Sequence, residues 1–164
     1  VEETQIDLPI TAFIPGDYII DPEEKINAYR AAAKCKTNTD LIELAANWVD
    51  RYGIIPKAVE TLLEILNLKL IARKCGFTRI KNEKPNLVLE TKMDEAAFRV
   101  LRQGLPKHLH GRLIYIKGTT QSKVLARGLG LQTNDKQLED VKSWLSQMLD
   151  RIDNTESIEY EVNK

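Results

Sequence analysis

Residues 37–76 read TNTDLIELAANWVDRYGIIPKAVETLLEILNLKLIARKCG, and the fold is built outward from them. Two helical patterns meet there at the short turn Arg51-Tyr52-Gly53-Ile54-Ile55-Pro56. Thr37 and Asp40 have capping-box spacing, so each side chain can satisfy a backbone N–H at the helix start. Leu41, Leu44, Ala45, Trp48 and Tyr52 then follow at helical intervals as one apolar stripe. Gly53 stands where a helix leaves through a left-handed residue, and Pro56 suits the first position of the next helix. Over residues 58–72 the apolar arc widens to about half the circumference at ~100° per residue. A helix with that pattern is covered on several sides and predicts the central post of a domain.

With 164 residues, the chain predicts a single domain over 1–164, with a core at about 5–152 and a tail at 153–164. Lys+Arg and Asp+Glu both number 24, so the chain lacks the overall positive charge usual for nucleic-acid modules. Two cysteines, Cys35 and Cys75, make no disulfide scaffold and fit packed thiols in a reducing, cytoplasmic setting. No apolar run reaches membrane length. The opening at Val1 suggests a piece of a longer protein.

Before the central stretch, residues 5–14 alternate as an edge strand, because Pro9 cannot donate to a ladder. Asp21-Pro22-Glu23-Glu24 is a helix start, and that helix is expected to reach about Cys35 and to pack Ile26, Tyr29 and Ala33. After Gly76 the period falls from 3.6 to 2. Strands are expected at 77–81 and 87–91, joined by a turn at 82–86, and again at 112–117 and 123–129. Between these pairs Asp94 caps a helix of about ten residues, with Met93 and Phe98 at staple spacing, that ends at Gly104. Asn134 and Gln137 open a last helix carrying Leu138, Val141, Leu145, Met148 and Ile152. The fold class is α+β: a three-helix N-terminal bundle, then a small antiparallel sheet with two further helices.

The search for chemistry finds little. His108 and His110 are one residue apart, but no third ligand shares their spacing, so no metal site is expected. Gly118-Thr119-Thr120-Gln121-Ser122-Lys123 lacks the phosphate-loop pattern and reads as a hairpin turn. Cys75, near a helix end, reads as a buried, inert thiol. A small hydrolase around His108, His110 and Cys75 is a third possibility. Lys69, Arg73, Lys74, Arg79, Lys81 and Lys84 form a basic cluster that would serve a nucleic-acid-contacting module. The competing account is snorkelling stems with heads paired to carboxylates. Glu43 and Asp50, seven apart, share one flank of the second helix with Asn47 midway, and Trp48 is expected next to them. Acidic groups around a large aromatic have the look of an interface rim around an anchor.

One further pattern covers about residues 5–152. Leu8-Pro9-Ile10-Thr11-Ala12-Phe13-Ile14-Pro15-Gly16-Asp17-Tyr18-Ile19, then Tyr29-Arg30, then Trp48-Val49-Asp50-Arg51-Tyr52-Gly53-Ile54-Ile55-Pro56 closely resembles the carboxy-terminal (TRCF) domain of bacterial transcription-repair coupling factors, the Mfd family. The resemblance implies the end piece of an ATP-dependent DNA translocase that displaces stalled RNA polymerase and recruits the excision-repair protein UvrA. ATP and Mg belong to the motor domains of such a parent, so this segment is expected to be non-catalytic, with no cofactor or metal, and monomeric. It further implies an autoinhibitory clasp that docks on the UvrB-like N-terminal module of the same polypeptide and masks the face that binds UvrA. Asp50 matches one acidic position of that contact. Asn47 stands where the resemblance implies a second acid, and Glu43, one turn earlier, is placed to substitute for it.

Overall fold

The computed structural model describes the backbone of residues 3–162 and side chains through residue 153. Pro9–Leu70 forms one compact unit and the rest of the described chain the other.

Three helices make up the first unit: α1 (Pro22–Lys34), α2 (Asn38–Tyr52) and α3, which runs Lys57–Cys75 and so passes into the second. Their ends follow from local chemistry. Asp21 caps α1 by accepting the Glu23 N–H at 2.9 Å, with Pro22 in the first turn. Thr37 Oγ1 accepts the Asp40 N–H at 3.1 Å, and the Asp40 carboxylate accepts the N–H groups of Lys36 and Thr37 at 2.9 and 3.2 Å. Gly53 closes α2 with φ 92°, its N–H bonded to Val49 O at 2.9 Å. Pro56 lies one place earlier than expected: its carbonyl accepts the Val59 and Glu60 N–H groups at 3.0 Å, so it flanks α3 rather than opening it.

The Lys36 and Thr37 N–H groups hold the Asp40 pKa below its ordinary 3.8. The resulting stabilisation is complete above the unfolded-state value and fades as pH falls through the lower folded-state value. Wild type is therefore expected to melt above Asp40→Asn at about pH 6 and to converge with it near about pH 2, in a series of thermal scans.

The expected stripe of α2 is observed: Leu41 and Trp48 are buried, and Leu44, Ala45 and Tyr52 half-buried. On α3 the coverage exceeds the expected arc, since every residue at 61–72 is buried or half-buried. The face of α1 differs from expectation. Ile26 and Tyr29 are exposed, as is Ala33, and Ala28 and Ala32 are buried instead. These alanines, four apart, admit close approach to the core of Ile14, Ile19, Trp48 and Val59. Tyr29 has a polar task, its hydroxyl accepting the Ile14 N–H at 2.8 Å.

The second unit carries a five-stranded sheet in the order β1-β2-β3-β5-β4, with β1 Gln5–Asp7, β2 Phe77–Glu83, β3 Asn86–Thr91, β4 Leu113–Ile116 and β5 Ser122–Ala126. β1 is an edge strand as expected, but it is shorter, since nothing after Asp7 joins the ladder. It pairs parallel with β2, so the sheet is mixed rather than wholly antiparallel.

Helix α4 (Glu95–Arg102) is capped by Asp94, which accepts the Ala97 N–H at 2.8 Å, and Phe98 is buried. A 3-10 helix at Lys107–Arg112 leads into β4. Helix α5 spans Asn134–Val162 and buries Leu138, Val141, Leu145 and Met148. It opens at Asn134 as expected, and Thr133 before it caps it, Oγ1 accepting the Lys136 N–H at 3.3 Å. Gln137 is buried and donates to Leu129 O and Gln132 O at 3.0 and 3.2 Å. The side chains of the expected tail beyond residue 153 lie outside the described residues.

Candidate functional site

Glu43, Asn47 and Asp50 are all exposed on α2. Spacings of four and three residues keep them within an arc of about 60°. Trp48 belongs elsewhere. Neighbours on a helix diverge by about 100°, so a residue adjacent in sequence to Asn47 faces a different way. Trp48 is 2% exposed and packs in the helical core, so it supports this surface from beneath and offers no anchor to a partner.

The surface has an apolar part that sequence reasoning passed over. Ile42 is 60% exposed and Val49 45%, and the two lie seven residues apart on one line of α2. Each stands about 100° round the helix from Glu43 or Asp50, so this exposed ridge borders the acidic flank rather than lying within it. Ile54, in the turn after α2, is 92% exposed. The available signal was an apolar i, i+7 pair outside the main stripe. Solvated aliphatic side chains beside carboxylates have the make-up of an interface with a polar rim.

Between α1 and α2 lies a cleft of about 250 Å³, lined by Asn27, Ala28 and Ala31 on one side and Leu44, Asn47 and Arg51 on the other, with Trp48 also in its wall. Arg51 and Glu24 form an ion pair at 3.3 Å, and the Arg51 guanidinium lies 5.1 Å from the Tyr52 ring centroid. Such an exposed pair contributes about 0–1 kcal/mol and so orients Arg51 more than it stabilises the fold. Asn47 is where the acidic flank and the cleft meet.

Within the basic cluster, Arg79 on β2 pairs with Asp7 on β1. Lys81 lies 3.1 Å from Glu83 and 3.2 Å from Glu90, and hydrogen bonding to those carboxylates, Glu83 first, raises its pKa. Lys69 is half-buried, whereas Arg73, Lys74 and Lys84 are exposed. Two of the proposed phosphate contacts are thus engaged by neighbouring carboxylates, the account given by paired snorkelling heads.

His108 is exposed, and His110 Nε2 lies 2.7 Å from Leu105 O. Burial, with a smaller contribution from Asp153, pushes the Cys75 thiol up to about 12, and its Sγ lies 3.5 Å from Leu145 O. A covered, neutral thiol is a poor nucleophile. Among the described residues no three His, Cys, Asp or Glu side chains gather to hold a metal ion, and no helix is long and apolar enough to cross a membrane. The Gly118 N–H, in the loop after β4, donates to Oγ of Ser122, the first residue of β5, at 3.2 Å.

The sequence profile of the TRCF domain matches residues 8–98, more than half of the chain and including all of α2. The transcription-repair-coupling factor of Bacillus subtilis is 35% identical over 103 residues, 63% of this chain, and that of Escherichia coli 29% identical over 89 residues, 54% of it. The chain spans only 9% and 8% of those two relatives. A crystal structure of the C-terminal domain of a transcription-repair coupling factor has the same fold, with a TM-score of 0.70 at 18% identity, covering 91% of this chain and 93% of that one.

Proposed function

We propose, from the premise that this chain belongs to the TRCF domain family, that it is the regulatory C-terminal domain of a DNA translocase coupling transcription to excision repair. In this reading the chain is non-catalytic and cytoplasmic and holds no cofactor. ATP hydrolysis and contact with RNA polymerase belong to other parts of the parent. Its own task is that of a clasp: it docks on the UvrB-like N-terminal module of the same polypeptide and covers the face that recruits UvrA.

The observation that carries this reading is the exposed flank of α2, with Glu43, Asn47 and Asp50 beside the solvated ridge of Ile42 and Val49. One exposed ion pair contributes about 0–1 kcal/mol, so charge alone makes a poor latch. Carboxylates combined with aliphatic burial make a better one. Tethering raises the effective concentration into the millimolar range, so weak contacts suffice to hold the clasp shut. A latch of that strength also opens when polymerase or DNA favours the released state by a few kcal/mol.

Asp50→Lys in the full-length parent replaces an attraction with a repulsion. It is expected to raise UvrA affinity about tenfold, equivalent to about 1.4 kcal/mol, while thermal unfolding is unchanged. UvrA affinity equal to wild type in a variant that melts normally would overturn the clasp.

A further inference from the structure

A second cleft, of about 470 Å³, lies in the other unit. Three separate elements line it with basic side chains: Arg99 and Arg102 of α4, Lys107 and His110 of the 3-10 helix, and Arg151 of α5. Among the described residues no carboxylate lines it. In a chain of zero net charge, four permanent positive charges and a histidine around one cleft are a local concentration that folding alone creates.

These side chains are held rather than left to wander. The Arg102 guanidinium carbon lies 5.5 Å from the Phe98 ring centroid, and Nη1 is 3.5 Å from Leu113 O. Arg151 Nη1 donates to Gln103 O at 2.9 Å. Arg99 pairs with Glu95 at 3.3 Å, but both side chains are more than half exposed, so the pair is weak and easily exchanged for a stronger anion.

We propose that this cleft binds the phosphate backbone of nucleic acid, independently of the clasp on α2. Arginine presents a planar fork that matches phosphate oxygens two at a time, and three of the four permanent cations here are arginines. An acidic protein partner would need an apolar centre to its interface, and the one aliphatic liner among the described residues, Leu105, is buried. The aromatic beneath Arg102, Phe98, is also buried, which leaves no platform for stacking bases. Contact is therefore through phosphates and blind to sequence. The site was invisible in the sequence because its cations are drawn from residues 99–151 and no two are adjacent.

The test is fluorescence anisotropy with a labelled mixed-sequence DNA duplex at low and fourfold higher salt. Three phosphate contacts at about −0.9 each predict roughly fortyfold weaker binding at the higher salt. Arg99→Ala combined with Lys107→Ala, both exposed, is expected to weaken binding and lower the salt slope by about 2. Arg79→Ala combined with Lys81→Ala is expected to leave both unchanged. Far-UV circular dichroism checks that each variant is folded. Absence of saturable binding at low salt overturns the proposal, as does a folded Arg99/Lys107 variant that binds like wild type. Displacement by polyglutamate as effective as by unlabelled duplex, at equal charge, also overturns it, by showing a general anion site.

Discussion

Trp48→Ala is expected to lower the stability of the chain by about 3–5 kcal/mol, the usual cost of removing a large buried aromatic. The side chain is 2% exposed and sits among Ile14, Ile19, Ala28, Ala32 and Val59, drawn from both sides of α2 in sequence. Close by, the Tyr18 and Tyr52 rings meet edge to face at 5.8 Å, and the Tyr18 hydroxyl donates to Gly53 O at 3.0 Å. A void under Trp48 would loosen the end of α2 that presents Asp50. Urea denaturation followed by far-UV circular dichroism gives the loss directly. Trp48→Phe, which keeps a ring, is expected to lose less than half as much. If Trp48 instead anchored a partner, Trp48→Ala would leave the denaturation midpoint in place and weaken only docking.

That contrast shows which parts of the molecule are legible in the sequence. Caps are legible because their chemistry is complete within four residues: Thr37 with Asp40, Asp21 with Pro22, and Asp94 with Ala97 all form as their spacing requires. The stripe of α2 is legible because large apolar residues repeat at helical spacing. The buried face of α1 is not, because periodicity weights size, and Ile26 and Tyr29 outweigh Ala28 and Ala32 in any such reading. Small residues are buried where backbones come close, and closeness is a property of the assembled core. The parallel partner of β1 is illegible for the same reason: Gln5 meets Arg79 across more than seventy residues of intervening chain. Of the candidate site, Glu43, Asn47 and Asp50 were placed on one flank from spacing alone. Trp48 was misplaced because adjacency in sequence was taken for adjacency in space.

Gly104→Ala is expected to destabilise the chain by about 1–3 kcal/mol or more, and Gly104→Val by more again, although neither replaces a residue with unusual torsions. The sequence predicts Gly104 as the end of α4, where a glycine commonly turns left-handed, but its φ is not positive; only Gly53, Gly76 and Gly128 have that property. Proximity is the constraint. A Cβ on Gly104 would lie 2.6 Å from Met148 Cα and 2.9 Å from Gln147 O, against the backbone of α5, which cannot rotate away as a side chain would. Gly111→Ala, with nothing within 4 Å, is the matched control and should be neutral or slightly stabilising. Gly53→Ala separates the two effects: it meets no atom within 4 Å but must hold φ 92° with ψ −162°, a positive-φ conformation almost confined to glycine that costs about 1–3 kcal/mol. Thermal and urea melts of the three variants should therefore rank Gly111→Ala above Gly53→Ala and place Gly104→Val last. The approach that excludes a Cβ at Gly104 also brings Arg151 of α5 against Gln103 O, beside the basic cleft. Gly104→Ala should accordingly reduce DNA binding under conditions where the variant is still folded, while Gly53→Ala, in the other unit, leaves it intact.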